Sequence, residues 1–372
     1  MTILTCVVLI IGYVYEDSDS LLVDNDTLTL CGDHQYALKV HIKNYAQLFV
    51  RSATGAPDST GWLKLDAPLI IITDHSIMDG SERGHSGAYM NSHPWGYGPG
   101  GGGAGGVSGG AGGGGAYGGA GGVGGDNYGG SGGVAYGDSA DTLIDMGSGG
   151  GAGRLSVVDG AGGDGGASLS LRGTVIMVDS SEIRLSGQRG TDGSVEAGGG
   201  GSGGGLMIWS DTVRLHSVVI NASGGNGGDA SFGGGGGAGG GRIKIFYSQY
   251  LDTSAITAYV NGGGAGSGNY GNPQPGTAGS FHIGIPTGIQ EIVSTVPTML
   301  KLAPNPTRGN IRFTAERPPG EVVVYGCDGR VVAVEHLDKK TGMIQLDNVL
   351  PGIYFLKSDA LKNTPIKIIL LP

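Results

Sequence analysis

The stretch Thr174 to Phe281 decides the fold. Within it, Thr174-Val-Ile-Met-Val178, Leu206-Met-Ile-Trp-Ser210, Arg242-Ile-Lys-Ile-Phe246 and Ser280-Phe-His-Ile283 read as one recurring apolar strand, each shortly after glycines. A second strand recurs behind it: Glu182-Ile-Arg-Leu-Ser-Gly187, Val218-Val-Ile-Asn-Ala-Ser-Gly224 and Ile256-Thr-Ala-Tyr-Val-Asn-Gly262. First strands start 32, 36 and 38 residues apart, and second strands 36 and 38. Repeats of this length, with strands and no helical periodicity, predict stacked turns of a β-solenoid.

Composition narrows the alternatives. Glycine fills 81 of 372 positions, about three times the usual ~7 %. No G-X-Y period appears, which excludes collagen. Regularly spaced Val, Ile and Leu strands interrupt the glycines, unlike a disordered chain. The formal charge is −10; residues 301–372 carry 10 Lys+Arg and 7 Asp+Glu, so the remainder is at −13. An acidic body excludes nucleic-acid binding, which needs a basic footprint. Cys6, Cys31 and Cys327 are too scattered for a disulfide framework or a zinc site.

Outward from the repeat, Met1–Ile11 (MTILTCVVLII) has the length of a signal-peptide apolar region, without a basic start or an A-x-A site. Residues 1–15 are therefore read as a signal peptide, possibly truncated, with a buried first strand as the rival. Residues 16–68 read as a β-rich cap and first coils. Leu21-Leu-Val, Thr27-Leu-Thr-Leu, Tyr36–Ile42 and Gln47–Arg51 serve as strands, and Asp24-Asn-Asp and Cys31-Gly-Asp as turns. Residues 69–283 form the glycine-rich solenoid. It holds a glycine-dense insertion at 96–133, where 24 of 38 positions are glycine. That tract is compatible with a flexible loop, with extended segments stacked in polyglycine-II fashion, or with an insertion lying over one face. Residues 284–299 read as a linker.

At Gly233–Tyr247 (GGGGGAGGGRIKIFY), Met146–Gly153 and the turn Asn221-Ala-Ser-Gly-Gly225, the chain resembles bacterial glycine-rich surface proteins. The likeness covers roughly 69–283 and suggests a parallel β-helix-like body without implying an activity. A carbohydrate-active β-helix enzyme would need carboxylates paired in a cleft. Asp74, Asp79, Asp159, Asp164, Asp179 and Asp211 are the candidates, and their positions beside glycine or serine read better as turns. Gly121–Tyr128 and Gly224–Ser231 match the G-G-x-G-x-D core of calcium β-roll repeats, but the copies are not in tandem. His34 and His41 flank one strand without further ligands. No cofactor is expected.

Residues 300–372 differ in kind. Leu302–Asn310 carries Pro304-Asn305-Pro306 and Gly309 and leads into a strand; Glu321–Val332 reads as a hairpin turning at Asp328-Gly329. Met343–Lys357 holds two strands joined at Leu350-Pro351-Gly352, and Pro365–Leu371 is an edge strand. Such a segment predicts a small antiparallel β-sandwich. The order resembles the type A C-terminal sorting domain of the type IX secretion system. The likeness rests on Pro304, Asn305, Pro306, Gly309, Tyr325, Gly329, Leu350, Pro351, Gly352, Tyr354 and Lys367. The resemblance implies export through that translocon, removal of the domain, and release of the body or its attachment to surface lipopolysaccharide. Surface lipopolysaccharide or extracellular polysaccharide is thus the expected partner class, and the outer-membrane surface or the medium the expected location. The fold expectation is all-β: a glycine-rich parallel β-helix-like solenoid followed by a small antiparallel β-sandwich. The functional expectation is a secreted or cell-surface structural or adhesin-like protein. Its alternative is a polysaccharide lyase or hydrolase carrying the same export signal.

Overall fold

In the computed structural model the described residues are 12–54, 61–89, 93–106, 109–154, 159–285, 300–303, 307, 309–315, 319–326, 330–346, 349–358 and 366–371. The strands are β1 (Tyr13–Glu16), β2 (Ser20–Asp24), β3 (Thr27–Leu30), β4 (Gly32–Gln35), β5 (Lys39–Lys43), β6 (Gln47–Val50), β7 (Trp62–Asp66) and β8 (Leu69–Ile72). They continue as β9 (Ile77–Asp79), β10 (Ser168–Asp179), β11 (Glu182–Arg184), β12 (Gly205–His216), β13 (Val218–Asn221), β14 (Arg242–Asp252), β15 (Ile256–Tyr259) and β16 (Ser280–Gly284). No helix occurs among the described residues. The chain divides into two compact units, Met1–Gly288 and Ile289–Pro372.

The first unit contains two sheets. One runs β1-β2-β5-β8-β10-β12-β14-β16, with β4 and β7 joining through β10; the other runs β3-β6-β9-β11-β13-β15. Every pair is parallel except β1 with β2. The sequence period becomes the register. Ser168 lies opposite Gly205, Gly205 opposite Arg242 and Arg242 opposite Ser280, offsets of 37, 37 and 38 residues. Successive side chains alternate between the two faces of the sheet, and the first halves of β10, β12 and β14 are buried on both. Leu169 and Leu171 of β10, Leu206 and Ile208 of β12, and Ile243 and Ile245 of β14 point inward. They meet Met78, Ile183 and Ile220 of the second sheet in one core. Each such side chain contributes about 1.5–3 kcal/mol of burial.

Three expectations change. Thr174–Val178 is not the counterpart of Leu206–Ser210. β10 is one long strand whose first half, Ser168–Arg172, lies against Gly205–Trp209, and Val175–Val178 lies against Thr212–Leu215. Val175–Val178 is a continuous apolar run like Leu206–Trp209, whereas Ser168–Arg172 alternates, so composition points to the wrong half. The spacing of 32 came from matching the wrong half. The second change is at Gly32-Asp33, which begins β4 and is not a turn; Gly32 supplies the bend with φ +91. The third is Tyr36–Ile42, which divides. Tyr36 is buried just after β4, while the strand is Lys39–Lys43.

The glycine runs form the second half of each repeat. After β13 the chain leaves as 222–228, turns, and returns as 235–241 into β14. Gly235, Ala238 and Gly241 donate to the carbonyls of Gly228, Gly225 and Ala222. Partners change in steps of three, the period of a polyproline-II-type helix, which has no internal hydrogen bonds. Segment 111–116 shows the rule in full. Ala111 and Gly114 donate to Gly125 and Gly122, Gly112 and Gly115 to Ala197 and Gly200, and Gly113 and Ala116 to Gly103 and Gly100. Its carbonyls accept from Gly130 and Gly133, from Gly236 and Gly239, and from Gly151. One segment thus touches six others through backbone alone. Glycine is required by distance: a Cβ on Gly199 would lie 2.0 Å from the Gly113 carbonyl oxygen. Within the tract 96–133, residues 96–106 and 109–133 are bonded into this lattice.

The second unit has seven strands: β17 (Leu300–Ala303), β18 (Asn310–Ala315), β19 (Gly320–Gly326), β20 (Val331–Leu337), β21 (Thr341–Gln345), β22 (Gly352–Ser358) and β23 (Ile366–Leu370). They make two antiparallel sheets, β17-β18-β21 and β20-β19-β22-β23. Ile311, Phe313 and Ile344 of the first and Val322, Val324, Leu356 and Ile368 of the second share one core. The Leu-Pro-Gly corner carries the chain from one sheet to the other. β23 is an edge strand.

Candidate functional site

The aspartates that could have formed a hydrolytic pair are each engaged by neighbouring donors. Asp159 accepts from the backbone N–H groups of Val195 (2.6 Å), Glu196 (2.7 Å) and Ser194 (3.1 Å), and from the Ser194 hydroxyl (2.9 Å). Burial works against its charge, but these donors outweigh it and hold the carboxyl below its ordinary value. Asp164 accepts from Gly87 N–H at 2.6 Å, and burial outweighs that single bond and raises its pKa. Asp79 accepts from Ser81 N–H, Asp179 from the Ser180 hydroxyl, Asp211 from the Ser248 hydroxyl and Asp74 from the Thr73 hydroxyl. They tie turns to strands and segments to segments.

The calcium and histidine motifs also separate. Asp229 pairs with Arg189 at 2.7 Å and accepts from Ser267 N–H at 2.6 Å; Asp126 accepts from Asn127 N–H. Among the described residues no group of three or more His, Cys, Asp or Glu could hold a metal ion. His34 lies 3.0 Å from the Cys31 carbonyl, whereas His41 is held below its ordinary value by burial and then by Lys43 and Lys39. Cys31 is free; Cys6 and Cys327 lie outside the described residues, as does the apolar start, residues 1–11.

Sequence reading did not find two buried cations. Arg242 and Lys244 lie on the outer face of β14, 7 % and 1 % exposed, beneath residues 136–143. Arg242 donates to the carbonyls of Tyr136 (2.8 Å) and Gly137 (2.9 Å). Lys244 donates to the Asp141 carboxylate and the Leu143 carbonyl, both at 2.6 Å. The G-G-R-I-K-I phrase thus pins a chain segment over the first sheet. Its signal was two basic residues alternating with core residues in one strand. Glu196 was also missed. It is 1 % exposed and its Oε2 has no hydrogen-bond partner. Burial, then Asp126, outweighs Gly110 N–H, Gly233 N–H and Arg154 and keeps its pKa raised.

In the second unit, the motif residues gather at defined places. Tyr325 of β19 lies opposite Phe355 of β22, which lies opposite Lys367 of β23, one row across three strands. The Tyr354 hydroxyl donates to the Leu350 carbonyl at 2.6 Å and closes the corner that carries exposed Leu350 and Pro351 next to Gly352. Gly309 has φ +118, and its carbonyl accepts from Leu346 N–H. Thr307, which no motif singled out, is 3 % exposed and ties the start of β18 to the last strand: Leu371 N–H donates to its carbonyl at 2.7 Å. Pro304, Asn305, Pro306 and Gly329 lie outside the described residues.

Residues 301–371 match the family model of the secretion system C-terminal sorting domain. The sorting domain is the tail read by the type IX secretion system, and it supports export of the chain by that route. Its presence implies secretion and a contact with the type IX machinery. Comparison with curated proteins and with solved structures returns no match for the chain.

Proposed function

We propose that this protein is a secreted or cell-surface structural component, adhesin-like, delivered by its sorting domain. In this reading the first unit is a β-solenoid with a polyglycine lattice along one side, and the tail is a β-sandwich removed after translocation. The domain limits follow: a signal peptide within 1–15, a cap at 16–68, the body at 69–283, a linker at 284–299 and the tail from 300. The observation that carries export is the sorting-domain match at 301–371. A structural role for the body is supported by the six-neighbour hydrogen bonding of the glycine segments. Such a lattice yields stiffness and a repetitive outer surface, and uses its polar backbone internally.

Two experiments test this. A chain lacking residues 300–372 should accumulate in the periplasm; surface display of the truncated chain sinks the export proposal. Purified full-length protein should release no reducing ends from a polysaccharide panel. Release that disappears in Asp159→Ala or Asp179→Ala would favour a polysaccharide lyase or hydrolase instead.

A further inference from the structure

The glycine arms end in turns, and successive turns stack on one another. Asp229 N–H donates to the Asp192 carboxylate at 2.7 Å, Phe232 N–H to the Val195 carbonyl at 3.0 Å, and Tyr270 N–H to the Phe232 carbonyl at 2.9 Å. The turn at 126–129 joins the same end: Gly125 N–H donates to Gly234, and Gly271 packs against the Asp126 backbone. This far end of the lattice, away from the hydrophobic core, carries large side chains amid glycine. Phe232 and Tyr270 stack with centroids 4.9 Å apart and planes at 19°, yet remain 45 % and 55 % exposed; Tyr128 is 60 % exposed. Tyr117 and Phe246, by contrast, are fully buried. Beside the rings, Arg189 is held at 2.7 Å by both Asp192 and Asp229.

We infer that the turn surface around Phe232, Tyr270 and Tyr128 is a binding platform for a neutral polysaccharide. The inference rests on the proposed surface role and names its ligand class. An aromatic face carries negative quadrupole density, which suits the polarised C–H face of a pyranose ring. Adjacent ion-paired and hydroxyl side chains offer donors and acceptors to ring hydroxyls, the few polar groups that orient a ligand on an apolar surface. Charge selects among glycans. Asp126, Asp192 and Asp229 surround the platform, and Arg189 is already shared between two of them. An anionic polymer, including lipopolysaccharide phosphate or a uronate chain, meets net repulsion there; a neutral one does not. Phe232 and Tyr270 are paired from two successive turns, so an extended polymer fits better than a single sugar.

The test is affinity electrophoresis of the full chain through gels containing a neutral glucan, a neutral mannan or polygalacturonate. At least one neutral polymer should retard the protein, and polygalacturonate should not. Phe232→Ala with Tyr270→Ala should weaken retardation about tenfold with the melting temperature unchanged, while Tyr259→Ala, an exposed ring elsewhere, should leave it intact. Retardation by polygalacturonate alone, or by no polymer, overturns the inference. So does retardation that survives the double substitution, or that is lost instead in Trp95→Ala. Export and surface display of the double variant would remain normal in every case, so failure of the platform is distinguishable from failure of the surface role.

Discussion

The strand stack and the glycine lattice share a repeat but are held together by opposite means. In the stack, side chains such as Ile208 and Ile220 are fully buried, and removal of apolar surface from water drives packing. In the lattice, residues such as Gly113 and Gly199 bury only backbone, and each ordered glycine costs about 1–2 kcal/mol of conformational entropy. A hydrogen bond returns a net ~0.5–1.5 kcal/mol, so the lattice is near balance by itself. It persists because arms such as 222–228 and 235–241 each continue a strand of the stack at one end, β13 and β14. One repeat thus couples a strongly driven half to a half that is merely compatible.

The largest expected effect comes from filling the lattice. Gly199→Ala places a Cβ 2.0 Å from the Gly113 carbonyl oxygen, with backbone on both sides and no flexible side chain to yield. A loss of more than about 4 kcal/mol is expected, read as a collapse of the denaturation midpoint. A loss below about 1 kcal/mol would show that the lattice is loose. Ile208→Ala in the stack should cost about 2–5 kcal/mol through burial and cavity terms.

Asp159 comes next. Asp159→Ala removes the acceptor for three backbone N–H groups and a hydroxyl, at an expected cost of about 1–3 kcal/mol. Its folded pKa is depressed, so its contribution is complete above the unfolded value of about 3.9 and fades as pH falls through the folded value. The wild-type and variant midpoints should therefore converge in strong acid; a gap constant with pH would refute the assignment. Glu196 has the opposite sign. Its raised pKa means its contribution is complete below the unfolded value of about 4.3 and is lost as pH rises through the folded value. Glu196→Gln should raise the neutral-pH melting temperature slightly and change nothing near pH 3. The smallest effect belongs to Gly264 in the outermost, exposed layer, where a Cβ meets only Asn226 at 3.5 Å. Gly264→Ala should be neutral or stabilise by up to about 1 kcal/mol, sharpening the claim that buried geometry, not glycine content, sets the lattice energy.

The all-β class is legible in the chain, because strands alternating at period 2 and glycine-punctuated repeats permit little else. So is the sorting domain, whose motifs lie close together along 70-odd residues and so are read locally. The repeat was legible as well, but its register was not. Val175–Val178 has the continuous apolar run of Leu206–Trp209, yet Leu169, not Ile176, lies opposite Leu206. The tertiary structure alone decided the rest. Whether Gly112 bonds to Ala197 and accepts from Gly236 cannot be written in a glycine run, since identical residues carry no address. Those contacts are set only where the segments meet in the folded chain. For the same reason Asp159 reads as a turn residue in the chain and becomes a clamp between segments in the fold: its partners stand 35 to 37 residues away.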